Sequence, residues 1–103
     1  MAPVYHIVLF KLKPNVKESE IDELKEALTG MVGKVPGLIR ADIAPPHIST
    51  AHRSQGFNMG LVAVLDGPET IKTYGEHPEH QKVHKIREAL CDDTLAYDLE
   101  YNV

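Results

Sequence analysis

Three histidines and a tyrosine fall close together at residues 74–84, and their types suit proton transfer. Imidazole titrates near neutral pH and can remove a proton next to a carbonyl group, while a phenol hydroxyl can orient that imidazole or donate to an oxyanion. Pro78 favours the first position of a helix, which makes His77 its N-cap. His80 then shares the inward face with the apolar residues that recur at helical spacing. The pattern makes His80 a candidate proton-transfer group at the inward edge of the helix, with Tyr74 close to it in sequence.

The same residue types also fit a purely structural interpretation, in which His80 and Tyr74 are hydrogen-bonded core residues with no catalytic role. His84 follows His80 at metal-ligand spacing, but no H-E-x-x-H pattern and no evident third ligand accompany the pair, so zinc is not indicated. Cys91 is the only cysteine, which excludes an internal disulfide and a cysteine metal cluster. No catalytic motif surrounds that thiol. Whether His80 and Tyr74 form a functional site or are only core residues depends on the elements that surround residues 74–84.

Composition predicts a single domain spanning residues 1–103. The apolar fraction of 43% and the charged fraction of 25% are those of an ordinary globular protein. A net charge of −4, without any basic block, argues against nucleic acid as a partner. No apolar run approaches the roughly 18 residues of a membrane span, and no secretory signal is visible. The expectation is therefore a cytoplasmic protein that does not contact membranes.

Hydrophobic periodicity predicts four strands and two main helices in the order β-α-β-β-α-β. The first helix should run for about 15 residues from near Ser19 and end at Gly33 and Pro36. The other elements are expected at 4–12, 38–44, 56–65, 69–74, 78–90 and 94–103. This order is that of a ferredoxin-like α+β fold with one antiparallel sheet. His47 and His52 lie in the loop between the second and third strands, where they are expected to face solvent.

Both faces of the first strand are apolar, although two helices can cover only one face of a four-stranded sheet. His6 alternates with Val8 and Phe10 on one face, and Ile7 and Leu9 occupy the other. An uncovered apolar face of this size is unusual for a soluble monomer. We therefore expect a homodimer that pairs sheet against sheet, and we expect His6, on the helix-covered face, to approach His80.

The motifs His6-Ile-Val-Leu-Phe-Lys-Leu-Lys, Val35-Pro36-Gly37 after the first helix, and Tyr74-x-x-His77-Pro78-x-His80 resemble the stress-responsive A/B barrel (Dabb) family. The resemblance covers nearly the whole chain. It implies a dimeric α+β barrel, with a first helix of about 18 residues. Members of the family include plant stress proteins and a plant polyketide cyclase that closes a linear tetraketide to olivetolic acid by aldol condensation.

The resemblance also assigns roles to individual positions. The cyclase's catalytic tyrosine and histidine match Tyr74 and His80, and a further pocket histidine matches His6. Two other positions that are polar in the cyclase's pocket match Met59 and Leu28. Part of the pocket lining is therefore apolar in this chain. The resemblance thus implies a pocket for a small hydrophobic or polyketide-like ligand, lined by His6 and Met59. It implies a cofactor-independent cyclase or lyase in which His80 is the base.

The resemblance further implies a structural magnesium ion held by main-chain carbonyls of Val32, Val35 and Leu38, at the end of the first helix, where carbonyl dipoles favour a cation. No glycine-rich phosphate loop is present, so no other cofactor is expected. The competing hypothesis is a non-catalytic stress-related dimer whose pocket is filled by its own side chains. A cavity reaching His80 would favour the ligand site, and a closed core around His80 would favour the structural dimer.

Overall fold

The computed structural model describes residues 2–102. Its elements are β1 (Val4–Leu12), α1 (Glu18–Thr29), β2 (Leu38–Ala44), β3 (Met59–Leu65), α2 (Glu69–Glu76), α3 (Pro78–Leu90) and β4 (Cys91–Glu100), with a short 3₁₀ turn at Ala51–Arg53. The strands form one antiparallel sheet in the order β2-β3-β1-β4. This is the ferredoxin-like α+β arrangement that the sequence predicted. Within the described residues, no helix has the length and hydropathy that a membrane span requires.

Local sequence explains why α3 begins where it does. The Nδ1 atom of His77 accepts a hydrogen bond from the backbone N–H of Glu79 at 3.1 Å, which caps the helix. Pro78 occupies the first helical position, where its missing N–H costs nothing. Both features confirm the predicted start of α3 and fix the rotation of the helix about its axis.

The core lies between the helices and one face of the sheet. The helix-facing side chains of β1 and β3 alternate along each strand, and they meet apolar residues of all three helices. The buried residues are Val4, Val8, Phe10, Leu24, Leu28, Met31, Val35, Leu38, Met59, Leu61, Ala63, Leu65, Tyr74, Val83 and Leu90. The aromatic ring of Tyr74 is therefore part of this core.

The first helix is shorter than both the periodicity and the family resemblance predicted. It begins at Glu18, where Glu20 Oε1 accepts from the Lys17 N–H at 3.0 Å, and it ends at Thr29. The apolar spacing continues beyond it because Met31 and Val35 remain buried, but they lie in turns. Gly33 has a φ of +90° in this segment, a conformation that ends a right-handed helix.

Two strand boundaries also differ from the prediction. Gln55 and Gly56 have positive φ, so the chain is still turning there and β3 starts only at Met59. At the other boundary α3 runs directly into β4, and the predicted turn at Asp92 and Asp93 is strand. β4 therefore covers Cys91–Glu100 instead of 94–103, of which Val103 lies outside the described residues.

The sheet face opposite the helices is apolar and uncovered in the single chain. Its residues pair across the strands, with Ile7 between Val62 and Tyr97. We call this surface the outer face; it comprises Tyr5, Ile7, Leu9, Val62, Val64, Leu95, Tyr97 and Leu99. Tyr97 is 61% exposed, and Leu95 and Leu99 are exposed beside it. Both faces of β1 are therefore apolar as predicted, but only one is buried within the chain.

Candidate functional site

His6, Tyr74 and His80 form one cluster on the helix-facing side of β1. The ring centroids of His6 and Tyr74 are 4.8 Å apart in an edge-to-face arrangement. Those of Tyr74 and His80 are 4.7 Å apart with tilted planes. Three residues from a strand and two successive helices thus meet as the helical phase and the resemblance suggested. We refer to them as the histidine–tyrosine cluster.

One ring nitrogen of His80 lacks a hydrogen-bond partner. Its Nδ1 atom is buried and has no hydrogen-bond partner among the described residues. Burial is the largest cause that lowers the pKa of His80, and the positive charges of Arg87 and His6 act in the same direction against a weaker effect of the Gly75 carbonyl. The imidazole is consequently neutral at pH 7, and a neutral imidazole whose nitrogen has no hydrogen-bond partner can accept a proton.

Tyr74 lies between the two histidines and is only 3% exposed. Burial raises the pKa of Tyr74 to about 12, although the charge of Arg87 acts against this increase, and the charge of Asp98 adds to it. The phenol therefore keeps its proton throughout the physiological range. A protonated hydroxyl beside a neutral imidazole can donate a hydrogen bond to an oxygen atom that gains negative charge.

The third member of the cluster, His6, has a carboxylate partner that the sequence reasoning missed. Asp98 Oδ1 lies 2.5 Å from His6 Nδ1, and His6 is paired with Asp98 in the register of β1 and β4. The alternation of β4 carried the signal, because Asp98 lies on the strand face opposite Tyr97. Without the pairing register of β1 and β4, Asp98 could not be distinguished from an ordinary solvent-exposed aspartate.

A second polar group continues along α3 from His80. Arg87 Nη2 lies 2.5 Å from Nδ1 of His84, and Nε2 of the same ring lies 2.9 Å from Glu88 Oε1. A guanidinium can only donate, so His84 Nδ1 is the acceptor and Nε2 carries the proton that Glu88 accepts. His84 is thereby engaged by Arg87 and Glu88 at the helix surface.

Two clefts lie at the two ends of the cluster, but neither is lined by its three rings. One, of about 290 Å³, is lined by Arg87, Glu88, Cys91 and the residues 92–94. The other, of about 220 Å³, is lined by Asp98 together with residues of β1, α2 and β4. Thr94, Ala96 and Asp98, which share the helix-facing side of β4, are exposed to solvent. The trough between α3 and β4 is thus open next to the cluster.

The two positions that the resemblance matched to the pocket lining, Met59 and Leu28, are buried in the core. Met59 pairs with Phe10, four residues and about 13 Å along β1 from His6. It lines a separate cleft of about 100 Å³ under the loop that follows β2. Leu28 is fully buried in the core between α1 and the sheet. The polar part of the candidate site is therefore confined to His6, Tyr74, His80 and Asp98.

The carbonyls proposed for magnesium do not lie at a helix C-terminus, because α1 ends at Thr29. Val32 is in the following turn, and the Val35 carbonyl accepts a hydrogen bond from the Leu38 N–H at 3.2 Å. The helix-dipole argument for a cation therefore does not apply directly to these atoms. Magnesium binding there stays a prediction, and no role in chemistry is derived from it. Among residues 2–102, no three His, Cys, Asp or Glu side chains group into a metal site.

The remaining candidates lie away from the cluster. His47 Nδ1 is hydrogen-bonded within its own loop, to the hydroxyl and N–H of Ser49. His52 is exposed in the 3₁₀ turn of the same loop. Burial raises the pKa of the Cys91 thiol, which disfavours a reactive thiolate.

Comparison with known proteins identifies the fold family. The sequence model of the stress responsive A/B barrel domain (Dabb) matches residues 4–101, nearly the whole chain. A search of curated proteins finds no match. The domain match agrees with the motifs that carried the resemblance.

Solved structures share the fold over almost their full length. A dimeric protein of unknown function with a ferredoxin-like fold from Bacteroides fragilis is 26% identical, with a TM-score of 0.80 and 98% of each chain covered. A dimeric ferredoxin-like protein of unknown function from Jannaschia sp. CCS1 is 25% identical, with a TM-score of 0.79 and coverage of 96% of this chain and 99% of that chain. Hydroxynitrile lyase from Passiflora edulis is 15% identical, with a TM-score of 0.87 and coverage of 98% and 94%.

Proposed function

Because this chain belongs to the stress responsive A/B barrel domain family, we propose that it is a homodimer that binds a small hydrophobic carbonyl compound at the histidine–tyrosine cluster. The proposed reaction is a cofactor-independent proton transfer of the cyclase or lyase type. The observation that carries this proposal is the buried, unpartnered Nδ1 of His80 beside the phenol of Tyr74. An unsatisfied buried polar atom is rare in proteins and marks a position where a ligand group completes the hydrogen bonding.

The homodimer is supported by the outer face. Eight apolar residues from three strands form this surface, and a soluble chain seldom leaves such a surface uncovered. Pairing two outer faces through a two-fold axis would bury both at once. The related structures from Bacteroides fragilis and Jannaschia sp. are described as dimeric, in agreement with this arrangement.

The chemistry follows from the protonation states of the cluster. Neutral His80 takes a proton from the carbon next to the ligand's carbonyl group, and the electron pair of that C–H bond moves into an enolate. The Tyr74 hydroxyl donates a hydrogen bond to the enolate oxygen, whose negative charge it stabilises. The enolate carbon then forms a bond to a second carbonyl carbon in an aldol-type closure, and the imidazolium returns its proton to the new alkoxide.

His6 has a different part in this proposal. Its Nδ1 is held by Asp98, so the second ring nitrogen faces away from the carboxylate and serves as a polar contact for the ligand. The carboxylate also compensates positive charge on His6 when a proton arrives there. The apolar core residues beside the cluster suit a hydrophobic ligand.

Deuterium exchange at carbon tests the proton transfer without knowledge of the natural substrate. The wild-type protein in D₂O should accelerate exchange at the carbon atoms next to the carbonyl of 2-octanone, followed by NMR. His80→Ala should abolish the acceleration, and Tyr74→Phe should reduce it about a hundredfold or more, the size typical of a lost oxyanion donor. His47→Ala, in the exposed loop, is the matched control and should exchange like wild type. Equal rates for wild type and His80→Ala would contradict the proposal.

A second candidate function is a non-catalytic structural dimer. It is favoured by one observation: of five clefts of about 100 to 340 Å³ on the described surface, none is lined by His6, Tyr74 or His80. In that case no carbonyl compound should raise the melting temperature of the wild-type protein. A screen by thermal shift, repeated with His80→Ala, distinguishes the two functions, because only a ligand site gives increases that depend on His80.

A further inference from the structure

Arg87 is a partly buried cation without a carboxylate partner. No Asp or Glu oxygen of the described residues lies within 4.0 Å of its guanidinium. The nearest acid along the helix, Glu88, is engaged by His84 instead. Partly buried charges in proteins are normally paired, whereas the guanidinium of Arg87 makes no direct ion pair, although Glu88, Asp92 and Asp93 line the cleft beside it.

The guanidinium lies where its charge acts on the histidine–tyrosine cluster. His80, His84 and Arg87 follow one another at intervals of four and three residues, so they form one stripe along α3. The positive charge of Arg87 lowers the pKa of His80 and opposes the rise in the pKa of Tyr74. The unpaired cation and the imidazole with the unpartnered nitrogen therefore lie on the same side of α3.

We propose that Arg87 binds the carboxylate, or another singly charged oxyanion, of the compound whose carbonyl group reacts at His80. The inference rests on the proposed function and adds the substrate class, which is a hydrophobic carbonyl compound with an acidic group. A guanidinium has five N–H donors in a planar fork. The bond to His84 uses one of them, and the others remain for a carboxylate.

The surrounding charges define where the anion lies. Glu88, Asp92 and Asp93 line the cleft beside Arg87 and repel an anion there. On the cluster side His80 is neutral and Tyr74 is protonated, so an anion meets no negative charge until Asp98 at the far end. The acidic group thus lies on the inner side of Arg87, and the carbonyl group points toward His80.

A matched pair of probes separates charge recognition from turnover. Hexanoate and hexanamide have the same shape and differ in charge, and calorimetry of the wild-type protein at pH 7 gives the affinity of each. We expect hexanoate to bind about tenfold more tightly than the amide, because a hydrogen bond to a charged group is stronger than a neutral one. Arg87→Gln should remove this preference and leave the amide affinity unchanged. Arg87→Lys should keep part of it, because the charge remains but the planar fork is lost.

Arg53→Gln is the control, because it removes a cation from the exposed loop after β2. It should retain the wild-type preference for hexanoate. His80→Ala should retain the preference too, even if it loses deuterium exchange, so failure of the chemistry and failure of anion recognition give different results. Equal affinities of the two probes for wild type, no detectable binding of hexanoate, or an unchanged preference in Arg87→Gln would each overturn the proposal.

Discussion

Asp98 Oδ1 lies 2.5 Å from Nδ1 of His6, and this contact connects β4 to β1 on the face that carries the candidate site. This contact gives the two histidines of the cluster different charged neighbours. His6 has a carboxylate that compensates positive charge, whereas His80 has an open nitrogen and a cation, Arg87, nearby. Burial and the charge of Arg87 lower the pKa of His80 and so disfavour positive charge there. Two like side chains with different surroundings can take different roles in one proton transfer.

Replacement of Asp98 by Asn tests this contact. The change keeps the shape but removes the charge, and we expect the free energy of unfolding to fall by about 1 kcal/mol, the typical value of one such hydrogen bond. The Asn amide can donate to Nδ1, so the proton of His6 should move from Nδ1 to Nε2. Nitrogen-15 NMR of the imidazole rings measures this tautomer directly. Asp42→Asn, on the edge strand β2, is the control and should leave the His6 signals unchanged.

The sequence was sufficient for the residues whose positions depend on local geometry. His80 follows from the cap at His77 and the 3.6-residue period of α3, and the fold class follows from the order of the elements. Asp98 and Arg87 could not be found in this way, because their importance depends on the strand register and on the absence of a partner. Both are properties of the packed chain, and residue spacing alone does not supply them.

Element boundaries show the same limit. Asp92 and Asp93 are typical of turns, yet they belong to β4, because α3 passes into the strand at Cys91 without a loop. The cap N–H of Cys91 bonds to Arg87 O, and the Lys13 N–H bonds to Leu90 O at 2.8 Å. These contacts satisfy the backbone at the junction, so tertiary pairing overrides the local turn preference.

The lowered pKa of His80 predicts an acid-sensitive fold. The unfolded chain binds this proton near pH 6.5 and the folded chain binds it only at lower pH, so the unfolded state holds more protons in between. The stability is complete above pH 6.5 and is lost as the pH falls toward the folded value. His80→Leu should lose this part of the acid-side decrease, as measured by urea unfolding at pH 7 and pH 5. Identical pH dependence in the two proteins would show that His80 titrates normally in the folded state.

The raised pKa of Tyr74 predicts the opposite dependence at high pH. Its folded value of about 12 is above the unfolded value of 10.0, so the stabilisation is present below pH 10 and is lost as the pH rises toward 12. The loss should reach about 2 to 3 kcal/mol, since each unit of pKa corresponds to about 1.4 kcal/mol. Tyr74→Phe should show a correspondingly smaller alkaline decrease. Lysines and other tyrosines titrate in both proteins, so the difference between them isolates Tyr74.

The proposed dimer depends on the outer face. Tyr97 is the most exposed large side chain of that face. Tyr97→Asp places a charge opposite Ile7 in the middle of this face, and burying that charge between two copies is strongly unfavourable. We expect the wild-type protein to sediment as a dimer at micromolar concentration and the variant to sediment as a monomer.

Thr73→Asp provides the matched control, because it adds the same charge at an exposed position of α2, on the opposite side of the sheet. It should sediment like wild type. The free energy of unfolding should depend on protein concentration for wild type and Thr73→Asp only, because dissociation accompanies unfolding of a dimer. A monomeric wild-type protein, or a Tyr97→Asp variant that remains dimeric, would exclude the outer face as the interface.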